Sequence, residues 1–178
     1  MTAPVLVLVG APASGKTTVG TAVAELLGLS FRDTDADVEE VTGSTIADLF
    51  VDRGEEHFRG LEEQAVARAL TDHDGVLALG GGAVLSAATR ERLRGYHDGG
   101  GTVVWLQVDL PSAAKRAGLS RERPLLAINP RAMLRTLLEA RAPLYAEVAT
   151  HTVVTAGREP GDVIAEVAAL VHPVRDAR

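Results

Sequence analysis

Five apolar residues in a row, Val5 to Val9, run straight into Gly10-Ala11-Pro12-Ala13-Ser14-Gly15-Lys16-Thr17-Thr18. A run without polar alternation has no face to offer water, so it suits a strand covered on both sides, in the middle of a parallel sheet. The loop that follows reads G-x-x-x-x-G-K-T. Gly10 and Gly15 let the backbone curl until successive N–H groups point inward, the arrangement that cradles phosphate oxygens. In such a loop Lys16 reaches the β- and γ-phosphates, and the Thr17 hydroxyl joins the shell of a Mg²⁺ ion. Beyond it, Val19, Ala22, Val23, Leu26 and Leu27 recur at helical spacing, and Gly28 stands where a helix would stop. That helix turns its positive N-terminal end toward the loop. Strand, loop and helix together read as a nucleotide site rather than an ordinary glycine-rich turn.

The rest of the chain must supply a sheet around this strand. Its 178 residues suffice for one domain with its own core, and without cysteines that core has no disulfide or thiolate zinc to help it. The formal net charge of −6 argues against a general nucleic-acid surface. No basic leader precedes the first strand, and no run approaches the ~18 apolar residues of a membrane span, so a cytoplasmic location with no membrane partner is expected. The five histidines lack metal-ligand spacing and read as structural or surface residues.

A short strand over Leu29–Arg32 opens on Asp33-Thr34-Asp35. D-x-D in a surface loop is commonly turn chemistry. Directly after a strand beside a phosphate loop, one acid is placed to hold magnesium and the other to meet a substrate hydroxyl. Helices follow: a short one capped by Ser44 or Thr45 and broken by Gly54, then one from about Glu55 to Leu70. Arg59 on the latter reads locally as an ion pair with Glu56, Glu62 or Glu63. Val76–Leu79 is a buried strand ending on Gly80-Gly81-Gly82, where bare backbone admits a ligand closely. No carboxylate stands at that strand end, so the metal role passes to Asp33. A polar helix over Ala87–Tyr96, a strand over Val103–Val108, and a helix from Pro111 to Gly118 come next. The irregular stretch near 116–130 carries Arg116, Arg121 and Arg123, and reads either as a solvated connection or as a lid that delivers an arginine. A helix from Asn129-Pro130 is expected to end near Arg141-Ala142-Pro143-Leu144-Tyr145. A fifth strand over Thr152–Thr155 and a helix over Pro160–Val171 complete an alternating α/β domain.

The combination of G-x-x-x-x-G-K-T, Asp33-Thr34-Asp35, Gly54-Glu55 followed by Phe58-Arg59 and Glu62, Gly80-Gly81-Gly82, Arg123-Pro124-Leu125-Leu126 and Arg141-x-x-x-Tyr145 resembles the shikimate kinases over nearly the whole chain. The resemblance implies a three-layer α/β/α P-loop NTPase domain spanning 1–178, with a five-stranded parallel sheet, a helical substrate-binding insertion near 36–70 and a lid near 116–130. It implies ATP-dependent phosphorylation of shikimate to shikimate 3-phosphate on the route to chorismate and aromatic amino acids, with Mg²⁺ as cofactor.

By the same resemblance, Gly10, Ala13, Ser14, Gly15, Lys16, Thr17, Thr18, Arg116 and Arg123 would bind ATP, Arg116 on the adenine side. Thr17 and Asp33 would hold the metal. Lys16, Asp35 and Arg123 would be catalytic, Asp35 either accepting the proton of the reacting hydroxyl or orienting it. Arg59 and Arg141 would meet at the shikimate carboxylate, with Gly80, Gly81, Gly82, Phe50 and Phe58 lining the pocket. Family loops often carry glycine where Ala13 stands, and a small effect is expected from the change. A monomer is expected, since no heptad or long apolar face asks for a partner. Two rivals stay open on the sequence: a kinase of another small hydroxy acid such as gluconate, and a nucleotide-binding regulatory module without catalysis.

Overall fold

The computed structural model describes residues 2–118 and 129–171. β1 (Leu6–Val9) lies at the centre of five parallel strands in the order β2-β3-β1-β4-β5, with β2 at Phe31–Asp33, β3 at Val76–Ala78, β4 at Val103–Gln107 and β5 at His151–Val154. Its side chains alternate between two cores, as strand geometry requires. Leu6 and Leu8 pack beneath α1 (Lys16–Leu27) and α8 (Pro160–Leu170) with Val23, Val104 and Val163. Val7 and Val9 face the opposite layer, built from α4 (Glu55–Asp72), α5 (Ala87–Asp98) and α7 (Pro130–Val148). No residue of β1 is more than 1% exposed, so the unbroken apolar run at the head of the chain is what this position demands.

From β1 the chain goes to the sheet edge at β2, returns to fill β3, and only then crosses to β4 and β5. The direction of winding therefore reverses beside β1, and such a reversal opens a crevice at the carboxyl ends of the strands. The phosphate loop, Asp33 and the glycine triplet all stand on that edge.

Between β2 and β3 run α2 (Thr34–Thr42), α3 (Ile46–Arg53) and α4, with a small core of their own from Val38, Leu49, Phe58 and Ala65. Thr45 caps α3: its Oγ1 accepts from the Asp48 N–H at 3.1 Å and donates to Asp48 Oδ2 at 2.7 Å, a pairing at capping-box spacing in which the aspartate takes the hydroxyl rather than the backbone N–H. Arg32 ties this excursion to the sheet through Asp37 on α2 at 2.8 Å and Asp72 on α4 at 2.6 Å.

Some expectations shift. Leu26, assigned to the inner side of α1, is 64% exposed in the last turn, and Ala24 is buried in its stead. The helix expected to end near Arg141-Ala142-Pro143-Leu144-Tyr145 runs on to Val148. A proline removes one N–H and crowds a carbonyl a turn back, but the last turn is held by Tyr145 and Val148, 2% and 1% exposed. The Tyr145 ring lies 5.8 Å from that of Trp105. A single 3₁₀ turn over Ala83–Leu85 follows the glycine triplet, and α6 (Leu110–Arg116) begins at Asp109, whose side chain accepts from the Ser112 N–H. Most of the expected lid, Arg121 and Arg123 included, lies outside the described residues. Among those described, no helix is long and apolar enough to cross a membrane.

Candidate active site

The loop between β1 and α1 has the backbone the glycines foretell. Gly10 stands at φ 152° and Gly15 at φ 98°. A Cβ on Gly10 would come within 2.7 Å of the Leu106 carbonyl oxygen and 2.8 Å of Ser14 Oγ, so only glycine fits. Ala13 also adopts the left-handed region, at φ 62°. Glycine's freedom is therefore what the family residue would have supplied there, and alanine holds the conformation at a cost of about 1–2 kcal/mol. Lys16 Nζ donates to the carbonyls of Gly10 at 2.8 Å and Ala11 at 3.0 Å, which folds the side chain over the loop. Ser14 Oγ is buried and has no hydrogen-bond partner, an unmet polar atom inside the loop. Arg116 reaches the outer side of the loop, where its Nη1 donates to the Ala13 and Ser14 carbonyls.

Asp33 is the last residue of β2 and also the N-cap of α2, so the D-x-D motif is a strand-to-helix junction rather than a free loop. Its Oδ1 accepts from the Asp35 N–H at 3.0 Å, and its Oδ2 accepts from the Thr17 hydroxyl at 3.0 Å. Between the two acids Thr34 is fully buried, and its Oγ1 accepts from the Gly80 N–H at 3.0 Å. That bond fastens the end of β2 to the end of β3. A Cβ on Gly80 would strike the carboxylates of Asp35 and Glu62. Bare backbone here makes room for two acids.

Arg59 and Arg141, far apart in sequence, both reach the glycine turn, one at Gly82 and the other at Gly81. Arg141 Nη1 donates to the Gly81 carbonyl at 3.0 Å, and Tyr145 OH, one helical turn later, donates to the same oxygen at 2.5 Å. The Arg59 guanidinium lies against Gly82, where a Cβ would overlap it. Its guanidinium carbon is 5.2 Å from the Phe58 ring centroid and 5.8 Å from that of Phe50, and the two rings are 4.8 Å apart. The ion pairs of Arg59 are to Glu62 at 2.6 Å and Glu55 at 3.2 Å. Of the expected partners only Glu62 is engaged. Glu63 turns instead to Ser86 and Arg92.

Glu62 and Tyr145 belong to the site although the sequence marks Glu62 only as a possible ion-pair partner of Arg59 and Tyr145 only as part of a motif. Glu62 stands four residues after Phe58 and four before Val66, on the buried stripe of α4, and is 2% exposed. A carboxylate on an apolar stripe was the available signal, because a buried charge needs a partner. Thr34 offered no such signal.

Burial dominates the electrostatics. It pushes the Lys16 ammonium down to about 8, against the attraction of Asp35 and Asp33. It raises Asp35 to about 6, helped by the Asp33 and Glu62 charges and opposed by Lys16. Glu62 is raised by burial in spite of Arg59, and the Tyr145 phenol is pushed up to about 12. A carboxylate with a raised pKa, a buried cation and two guanidinium groups thus share one cleft.

The family model described as shikimate kinase matches residues 12–172. The chain belongs to the shikimate kinase family. A shikimate kinase of Salinispora tropica is 61% identical over 169 residues, covering 95% of this chain and 98% of the relative. Among solved structures, shikimate kinase from Acinetobacter baumannii in complex with shikimate is 38% identical and superposes with a TM-score of 0.84, covering 96% of this chain and 93% of the other. A gluconokinase from Sinorhizobium meliloti, 24% identical with a TM-score of 0.60 over 92% of this chain and 89% of its own, shares the fold alone. The chain is thus a kinase, and its P-loop α/β architecture is that of the family.

Proposed function

We propose that this chain transfers the γ-phosphoryl group of ATP to a hydroxyl of shikimate, giving ADP and shikimate 3-phosphate on the route to chorismate and the aromatic amino acids. The observation that carries the reading is the convergence of Arg59 and Arg141 on the Gly80–Gly82 turn beside Asp35. Two guanidinium groups match a carboxylate, and the acid a few residues away matches a hydroxyl, as a small hydroxy acid requires. Phe50 and Phe58 back the Arg59 guanidinium. The helices over 36–70 act as the substrate-binding insertion of a single domain spanning 1–178, with a lid near 116–130.

Gly10, Ala13, Ser14, Gly15, Thr17 and Thr18 surround the phosphates, and Arg116 stands on the adenine side; the buried Ser14 hydroxyl without a partner supports a polar ligand there. Lys16 leaves its two carbonyl partners to neutralise the phosphates. Although lowered to about 8, it stays mostly protonated at neutral pH. Asp35 takes or orients the hydroxyl proton, and burial makes it a better acceptor than a free aspartate. Arg123 meets the transferring phosphoryl group. Thr17 Oγ1 and Asp33 Oδ2 are two hard oxygens 3.0 Å apart, and Mg²⁺ takes one or two protein oxygens and fills its shell with phosphate and water. This pair fits and would hold the ion, which when bound neutralises charge on the phosphate oxygens. The enzyme works as a monomer in the cytoplasm, with no nucleic-acid partner.

The test is ADP release from Mg-ATP with shikimate, with gluconate, and with no acceptor. Release only with shikimate is expected. Release with gluconate instead would overturn the roles of Arg59 and Arg141. Release with neither, from protein that binds ATP, would leave a regulatory module. Lys16→Ala and Asp35→Asn are expected to abolish turnover in folded protein.

A further inference from the structure

Two features of the phosphate loop meet at one side chain. Ala13, at φ 62°, is the only non-glycine residue with positive φ among those described, a conformation in which Cβ crowds the following carbonyl oxygen. Arg116, at the end of α6, directs Nη1 at the carbonyl oxygens of Ala13 and Ser14, each at 3.2 Å. The same nitrogen donates to Thr155 Oγ1 at 3.1 Å, and Nη2 donates to the Thr155 carbonyl at 3.1 Å. Thr155 is 3% exposed and is itself fixed: its N–H and its hydroxyl both donate to the Gln107 carbonyl, at 2.8 Å and 3.2 Å. An unbroken chain of bonds runs from the end of β4, past the end of β5, to the outer side of the loop.

The direction of those carbonyls sets the direction of an N–H. In a trans peptide the C=O and N–H of one unit point opposite ways. With the Ser14 carbonyl held outward by Arg116, the Gly15 N–H of the same unit faces the interior, where inward N–H groups make an anion cradle. We propose that Arg116, anchored by Thr155, is a positioning residue that braces the strained loop from its carbonyl side and so aims the Gly15 N–H at phosphate. The role rests on the phosphate-loop reading above and is separate from any contact with the base. It also accounts for how alanine is tolerated at position 13: bonds from outside hold a shape that glycine would adopt without them.

The probe is magnesium tripolyphosphate, which carries the phosphates of ATP and neither ribose nor base, titrated calorimetrically into the full chain. Arg116→Lys keeps the charge but one ammonium cannot span four acceptors on two segments, and the Kd is expected to rise about tenfold. Combined with Ala13→Gly, the same change is expected to raise it only about twofold, because less strain then needs holding. Thr155→Val, which leaves Arg116 in place without its hydroxyl anchor, is expected to weaken binding about fivefold, while Thr155→Ser restores it. Equal losses with and without Ala13→Gly would show that Arg116 acts on the ligand and not through the loop, and would overturn the proposal. Should Arg116→Lys not fold, the Thr155 pair decides alone: unchanged binding in Thr155→Val, or equal loss in Thr155→Ser, overturns it. Failure of the unsubstituted protein to bind tripolyphosphate would instead sink the phosphate-loop reading itself.

Discussion

Replacing Asp35 by asparagine keeps the size of the side chain and removes its charge, and the fold holds that charge under protest. Burial and the neighbouring acids raise Asp35 from 3.8 to about 6. A carboxyl so raised binds its proton more tightly in the folded chain than in the unfolded one. Below about pH 4 both states are protonated and nothing is lost. As pH rises through about 6 the folded protein must hold a carboxylate that the unfolded chain exposes to water, and the penalty is complete above pH 7. At about 1.4 kcal/mol per pKa unit, a rise of about two units destabilises the fold by about 3 kcal/mol. The charge returns a few tenths of this by standing in the first turn of α2, at the positive end of the helix. Asp35→Asn is therefore expected to be about 2 kcal/mol more stable than the parent at pH 8, raising Tm by about 4–8 °C for a chain of this size. The gain vanishes near pH 4, and turnover is lost at every pH. Urea and thermal unfolding followed by circular dichroism at both pH values read it directly. A variant no more stable than the parent at pH 8, or equally stabilised at pH 4, would refute the assignment of that strain to the Asp35 charge.

Other expectations follow from the same cleft. The kcat/KM for shikimate should rise through about pH 6 as Asp35 ionises and fall above about pH 8 as Lys16 loses its proton, and a profile flat across pH 5–7 would remove Asp35 from the chemistry. Glu62→Gln leaves Arg59 with Glu55 as its remaining carboxylate partner; about a tenfold rise in the shikimate KM with a smaller change in kcat is expected, and an unchanged KM would deny Glu62 its positioning role. Gly82→Ala drives a Cβ into the Arg59 guanidinium and should raise the shikimate KM by about tenfold or more, as steady-state kinetics would show. Gly95→Ala, in a helix with open space around it, is the control: activity unchanged and stability higher by about 0.5–1 kcal/mol on thermal unfolding.

What was legible in the sequence was local or periodic. The apolar run Val5–Val9 suits a strand covered on both faces, and Leu6–Val9 form that strand. Gly10 and Gly15 mark backbone angles that other residues resist, and Gly28 marks a helix end. Ser44 and Thr45 mark the start of a helix by residue type, and Thr45 takes the cap. These signals act over a few residues, so they survive without knowledge of the fold. The end of α7 was legible only to within a turn: Pro143 speaks locally for a stop by Tyr145, while the burial of Tyr145 and Val148 carries the helix on to Val148.

The chain by itself thus determined the phosphate loop, the alternation of strands and helices and, through its ordered motifs, the shikimate kinase family. Only the tertiary structure decided which residues act together. Arg59, read locally as a helical ion pair, does make such a pair with Glu62, yet α4 also lays it against Gly82, next to the Gly81 carbonyl that Arg141 holds. Thr34 and Gly80 are 46 residues apart and share one hydrogen bond. Arg116 meets Ala13 from 103 residues away. The pairing of strands and the reversal of winding beside β1 bring these groups within hydrogen-bond reach, and no local spacing encodes a distance that the sheet alone creates.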